Sequence, residues 1–107
     1  SKTMQRTEII DIVKKYAENL KKSGLDFDAI YLFGSYIKGN PHKWSDIDVA
    51  VISPYLNDKY DEGRFLLWKL RRSIDLRIEP HGFTPKDWSD DINPMAHEIK
   101  KTGVRIV

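Results

Sequence analysis

Two aspartates run straight into an unbroken apolar stretch at Asp46-Ile47-Asp48-Val49-Ala50-Val51-Ile52. Nothing else in the chain restricts the fold so tightly. The β-branched content makes this stretch a strand, and Ser53-Pro54 closes it. Side chains alternate along a strand, so Asp46 and Asp48, at i and i+2, leave the same face. Two carboxylates held side by side repel each other, and a divalent cation is the usual reason for a fold to tolerate them. Oxygen-only ligands with positions left for water suit Mg²⁺, or Mn²⁺, bridging a nucleotide triphosphate. The plainer reading has Asp46 capping a turn and Asp48 solvated at a strand end.

A second short apolar run, Ala29-Ile30-Tyr31-Leu32-Phe33, stops at Gly34 and reads as a buried strand. Gly34-Ser35 then opens a short helix through Tyr36, Ile37 and Lys38. A glycine there lets backbone approach a ligand closely. The N–H groups of a helix start, with the Ser35 hydroxyl, form a phosphate cradle. A lone Gly-Ser pair is more often just a turn.

The remaining elements follow from periodicity. Residues 7–22 carry Ile9, Ile10, Val13, Tyr16, Ala17 and Leu20 at helical spacing, and Ser23-Gly24 ends that helix. Residues 57–63 read as a polar loop and residues 64–72 as a helix. The stretch 65–70 is wider than one apolar stripe, which assigns it to the core, with an interface as the alternative. Residues 74–79 alternate apolar and charged, a strand ended by Pro80. A short turn or helix at 85–90, a helix from Pro94 through Lys101 capped by Gly103, and a closing strand at 104–107 complete the chain. The order predicts an α/β (α+β) domain with a mixed sheet of about four strands flanked by helices.

Asp75 opens the 74–79 strand on the face opposite Ile74, Leu76 and Ile78. If that strand lies beside the Asp46 strand, three carboxylates converge, and three can hold two metal ions. Glu79 shares that face but lies roughly 13 Å further along a strand, so Asp75 is the expected third acid. An ion pair of Asp75 with Arg71, Arg72 or Arg77 is the alternative. Trp44 is expected to pack over the sheet edge, Lys43 could meet a phosphate, and His42, His81 and His97 show no ligand spacing.

Gly34-Ser35, ten residues, then Asp46-Ile47-Asp48 resembles the signature of the nucleotidyltransferase superfamily with the polymerase-beta-like fold. The small size is similar to its minimal branch, which includes antitoxins of the MntA type. The resemblance implies that Gly34 and Ser35 hold nucleotide phosphates and that Asp46 and Asp48 bind Mg²⁺. It also implies that Asp75 completes the catalytic triad. Many members carry arginine where this chain has Lys38, which keeps the charge but loses the bidentate fork.

Composition bounds the rest. The 107 residues fit one domain spanning 1–107, and a net charge of +2 gives no bulk argument for nucleic-acid binding. The absence of cysteine excludes disulfides, thiolate chemistry and zinc fingers. No apolar run reaches a membrane span and no signal segment is visible, so a soluble cytoplasmic protein is expected. The expected activity is transfer of a nucleoside monophosphate, AMP from ATP, to an acceptor hydroxyl. By resemblance the acceptor lies on a partner toxin of the HEPN class, with this chain as its antitoxin. The alternative is a non-catalytic antitoxin or partner-binding module that retains a nucleotide site.

Overall fold

The computed structural model describes residues 5–39, 41 and 45–107. The readings made for His42, Lys43 and Trp44 lie outside the described residues.

Helix α1 spans Arg6–Lys22 and buries Ile9, Val13, Tyr16, Ala17 and Leu20 along one stripe. It ends where Gly24 takes φ 86°. The Gly24 N–H donates to the Lys21 carbonyl and the Leu25 N–H to the Leu20 carbonyl. That pair of bonds satisfies carbonyls the helix itself cannot reach.

Four strands form one sheet, β1 (Ala29–Phe33), β2 (Ile47–Ile52), β3 (Ile78–Phe83) and β4 (Val104–Arg105), in the order β3-β2-β1-β4. Strand β1 runs antiparallel to β2 and β4, while β3 runs parallel to β2. The mixed four-strand sheet expected from the sequence is therefore present. A parallel pair needs a crossover. It is supplied here by a 3-10 turn at Pro54–Leu56 and helix α3, Tyr60–Leu70.

The two faces of the sheet differ. On one, Ile30, Leu32, Ile47, Val49, Val51 and Ile78 pack with the α1 stripe and Leu67 of α3 into the main core. On the other, Ala29, Ala50, Ile52 and Phe83 meet Ala96 and Ile99, with Trp88 at the margin. These last three come from α4 (Pro85–Ser89) and α5 (Pro94–Thr102). The side chains of Thr84 and Asn93 cap these two helices by accepting from the N–H groups of Asp87 and Ala96. The cover they give lies toward the C-terminal ends of β2 and β3. The opposite end of this face, where β2 and β3 begin, carries the polar residues.

Three expectations change. The strand expected over 74–79 is β3, beginning at Ile78, so Pro80 lies inside it and does not end it. Proline is allowed there because β3 is an edge strand: parallel pairing turns Glu79, His81 and Phe83 toward β2 and Pro80 outward, where its missing N–H breaks no ladder bond. Helix α3 begins at Tyr60, taking in part of the expected polar loop, with Asp61 and Glu62 in its first turn. Of the stretch 65–70, Leu67 is buried and Leu66 and Leu70 pack against the core, whereas Phe65 and Trp68 are exposed.

Helices α1 and α3 are tied by polar contacts. The buried Tyr16 hydroxyl donates to the Leu67 carbonyl at 2.7 Å, and Asn19 Nδ2 donates to the Leu70 carbonyl at 2.8 Å. Burial pushes the Tyr16 hydroxyl pKa up, against the opposing charge of Arg71, so it stays a neutral donor. Tyr16→Phe strands a buried carbonyl. It is expected to cost about 1–3 kcal/mol, read as a lower urea midpoint with an unchanged m-value. Among the described residues, no helix is long and apolar enough to cross a membrane.

Candidate active site

The register of the sheet builds the site. Phe33 at the end of β1 pairs with Asp48, and Asp48 pairs across the parallel ladder with Glu79. Paired residues share a face, and so do residues two apart on one strand. Asp46, Asp48, Glu79 and His81 therefore all project from the uncovered end of the sheet. The Glu79 carboxyl lies within hydrogen-bonding reach of Asp46. That contact, then burial, then the charges of Asp48 and Asp46 raise its pKa, while His81 opposes.

Gly34 sits against Asp48. Its φ of 81° and ψ of −149° lie in a region essentially reserved for glycine. A Cβ there would fall 2.3 Å from Asp48 Oδ2. The residue is thus required twice, for the turn out of β1 and for the room Asp48 occupies. Helix α2, Ser35–Lys38, follows at once. Tyr36 is buried beneath it, and Arg6 donates to the carbonyls of Tyr36 and Ile37 at 3.5 and 3.4 Å. Ser35 is half-buried at its first position and Lys38 is exposed at its last.

Asp75 is not part of this group. It lies in the turn before β3, where its carboxylate accepts from the Arg77 backbone N–H at 2.8 Å and forms an ion pair with the Arg77 guanidinium at 2.7 Å. The Arg77 side-chain bond lowers the Asp75 pKa, against burial, with the Arg77 backbone N–H and charge adding to the effect. The third carboxylate beside Asp46 and Asp48 is Glu79. The expectation placed the strand four residues too early, and so put the wrong acid level with Asp48. His81, for which the sequence showed no ligand spacing, is the other residue missed. Its signal was present: Glu79 and His81 stand at i and i+2, as Asp46 and Asp48 do.

The donors fit a divalent cation. One ligand atom each from Asp48, Glu79 and His81 lie within 4.8 Å of one another, and Asp46 reaches Glu79. Clustered acids of this kind repel until a cation binds. Beside them a groove of about 440 Å³ runs along the free edge of β3, lined by Tyr60, Arg64 and Trp68 of α3 and by Asp87, Asn93 and Met95 opposite.

The two shifted carboxyls act on stability in opposite directions. The raised Glu79 pKa means the folded chain holds a proton that the unfolded chain releases. Its stabilisation is complete below 4.5 and is lost as pH rises through the raised value. The lowered Asp75 pKa gives stability above 3.8 that is lost as pH falls through the depressed value. In chelator, from about pH 3 to 8, the thermal midpoint is expected to pass through a maximum between these limbs. Glu79→Gln should flatten only the alkaline limb, and a saturating divalent cation should raise it.

Comparison with known proteins agrees with this geometry. Residues 10–90 match the family model described as the nucleotidyltransferase domain. A candidate protein adenylyltransferase of Methanocaldococcus jannaschii is 30% identical over 110 residues, which cover 97% of this chain and 74% of that protein. The protein adenylyltransferase MntA of Shewanella oneidensis is 44% identical over 76 residues, covering 71% of this chain and 51% of the relative. The chain thus spans about half of the Shewanella protein. Among solved structures, a candidate nucleotidyltransferase of Sulfolobus solfataricus superposes with a TM-score of 0.64 at 17% identity, covering 92% of this chain and 79% of that one. A toxin–antitoxin crystallised with AMP-PNP gives 0.64 at 24% identity, covering 92% and 72%. These two structural likenesses carry the fold, and the family match carries the rest: this chain belongs to the nucleotidyltransferase domain family.

Proposed function

We propose that the chain transfers AMP from ATP to a hydroxyl group on a partner protein. The observation that carries the chemistry is the convergence of Asp46, Asp48 and Glu79 beside Gly34 at one open end of the sheet. The acceptor class rests on the relatives, two of which are described as protein adenylyltransferases. A solved toxin–antitoxin of this fold holds an ATP analogue. Those names make a toxin, of the HEPN class that the sequence resemblance implies, the first partner to test, with this chain as its antitoxin.

In this reading Asp46, Asp48 and Glu79 hold the divalent cation. When bound, the cation neutralises triphosphate charge and favours departure of pyrophosphate. Gly34 admits a phosphate close to the backbone, and the first N–H groups of α2 with the Ser35 hydroxyl donate to its oxygens. Lys38 adds positive charge from the last position of α2. The groove beside Glu79 and His81 receives the acceptor side chain, and a carboxylate of the cluster takes the hydroxyl proton. Most of the rate comes from holding the hydroxyl oxygen in line with the α-phosphorus.

The test uses ATP labelled in turn at the α and γ phosphates, with a divalent cation and a co-expressed HEPN-class toxin. The expected result is α-label fixed to the toxin and γ-label released as pyrophosphate. Transfer of γ-label would mean a kinase, and no transfer of either label to the toxin would reject the protein acceptor.

A further inference from the structure

Three carboxylates would make an oxygen-only site of the kind that suits Mg²⁺. The cluster here is not oxygen-only. His81 Nε2 lies 3.5 Å from Asp48 Oδ1 and 3.8 Å from Glu79 Oε1, both too long for a hydrogen bond. The atom is buried and has no hydrogen-bond partner among the described residues. An unpaired buried polar atom is costly, and an ion shared with the two carboxylates beside it would satisfy this nitrogen. The ring is held in place: Phe33 meets it edge-on at 5.2 Å between centroids, and β-pairing sets its backbone opposite Ala50.

Nitrogen and oxygen donors sit about 2.1 Å from a small divalent ion, so two donors to one ion lie at most about 4.2 Å apart. Both His81 separations fall inside that limit. One ligand atom from each of Asp48, Glu79 and His81 lies within 4.8 Å of the other two. We propose that His81 is a nitrogen ligand of this cation site and biases it toward a divalent transition-metal ion over Mg²⁺. The inference rests on Asp46, Asp48 and Glu79 being the cation site. Its physical basis is the difference in donor preference. Mg²⁺ keeps its water and favours oxygen, whereas imidazole suits the borderline transition metals. Loss of the ring therefore weakens the two kinds of ion unequally.

Mn²⁺ is the probe, used without nucleotide on the wild-type chain and on His81→Ala. Pulsed electron paramagnetic resonance of the wild-type Mn²⁺ complex should show nitrogen-14 coupling from an imidazole, absent in the variant. Calorimetry with Ni²⁺, an ion that imidazole suits, should show affinity falling at least about tenfold in the variant, with Mg²⁺ affinity changed less than about threefold. Bound Mn²⁺ without nitrogen coupling would overturn the proposal and leave the carboxylate site standing. Equal changes for both ions would also overturn it, because His81 would then act only as a charge beside the carboxylates. Failure of both ions to bind would remove the cation site itself. The wild-type spectrum decides the question even if the variant does not fold.

Discussion

Glu79→Gln is expected to slow nucleotidyl transfer about a hundred- to thousandfold, the cost typical of losing one preorganised charge-stabilising group. Its fold should survive, because the side chain stands at the open end of the sheet and the substitution relieves repulsion with Asp46 and Asp48. Asp75→Asn is expected to do the reverse. It breaks the part-buried ion pair with Arg77, a loss expected to be about 1–3 kcal/mol. Its rate should stay within about threefold of wild type, since it touches no group at the site. Single-turnover rates at saturating metal and ATP, set beside urea unfolding of both variants, separate the two outcomes. A dead but stable Asp75→Asn would return the third carboxylate role to Asp75.

Gly34→Ala should lose both stability and activity. The backbone conformation costs any residue with a side chain about 1–3 kcal/mol. The added methyl also meets Asp48 Oδ2 at 2.3 Å, so the carboxylate must swing away. Activity should therefore fall by more than the stability loss explains, and divalent-cation affinity measured below the unfolding transition should fall with it. A variant that is merely less stable, with cation binding intact, would mean that Asp48 relocates freely and that Gly34 serves only the turn.

Much of this was legible because it is local. Gly34, Asp46 and Asp48 lie within one short stretch, and the strands on either side announce themselves by apolar runs. The period of α1 and its glycine stop were equally plain. What failed was the start of β3. Pro80 reads as a stop in any isolated strand, and only the knowledge that β3 lies at the sheet edge removes that objection. The alternation before it, from Ile74 to Arg77, belongs to a turn fixed by Asp75 and Arg77. Once the strand moved, Glu79 came level with Asp48 and His81 came with it. The helical start at Tyr60 was hidden by charged residues that suit a first helical turn as well as a loop.

The free edge of β3 has a consequence for solubility. An exposed edge strand is a template on which a second chain can add. Here two of the three outward positions, Ile78 and Pro80, offer no free N–H. Ile78 gives its N–H to the Asp75 carbonyl at 3.2 Å, and Pro80 has none to give. The chain can thus leave an edge open beside its reactive carboxylates without inviting strand-by-strand polymerisation.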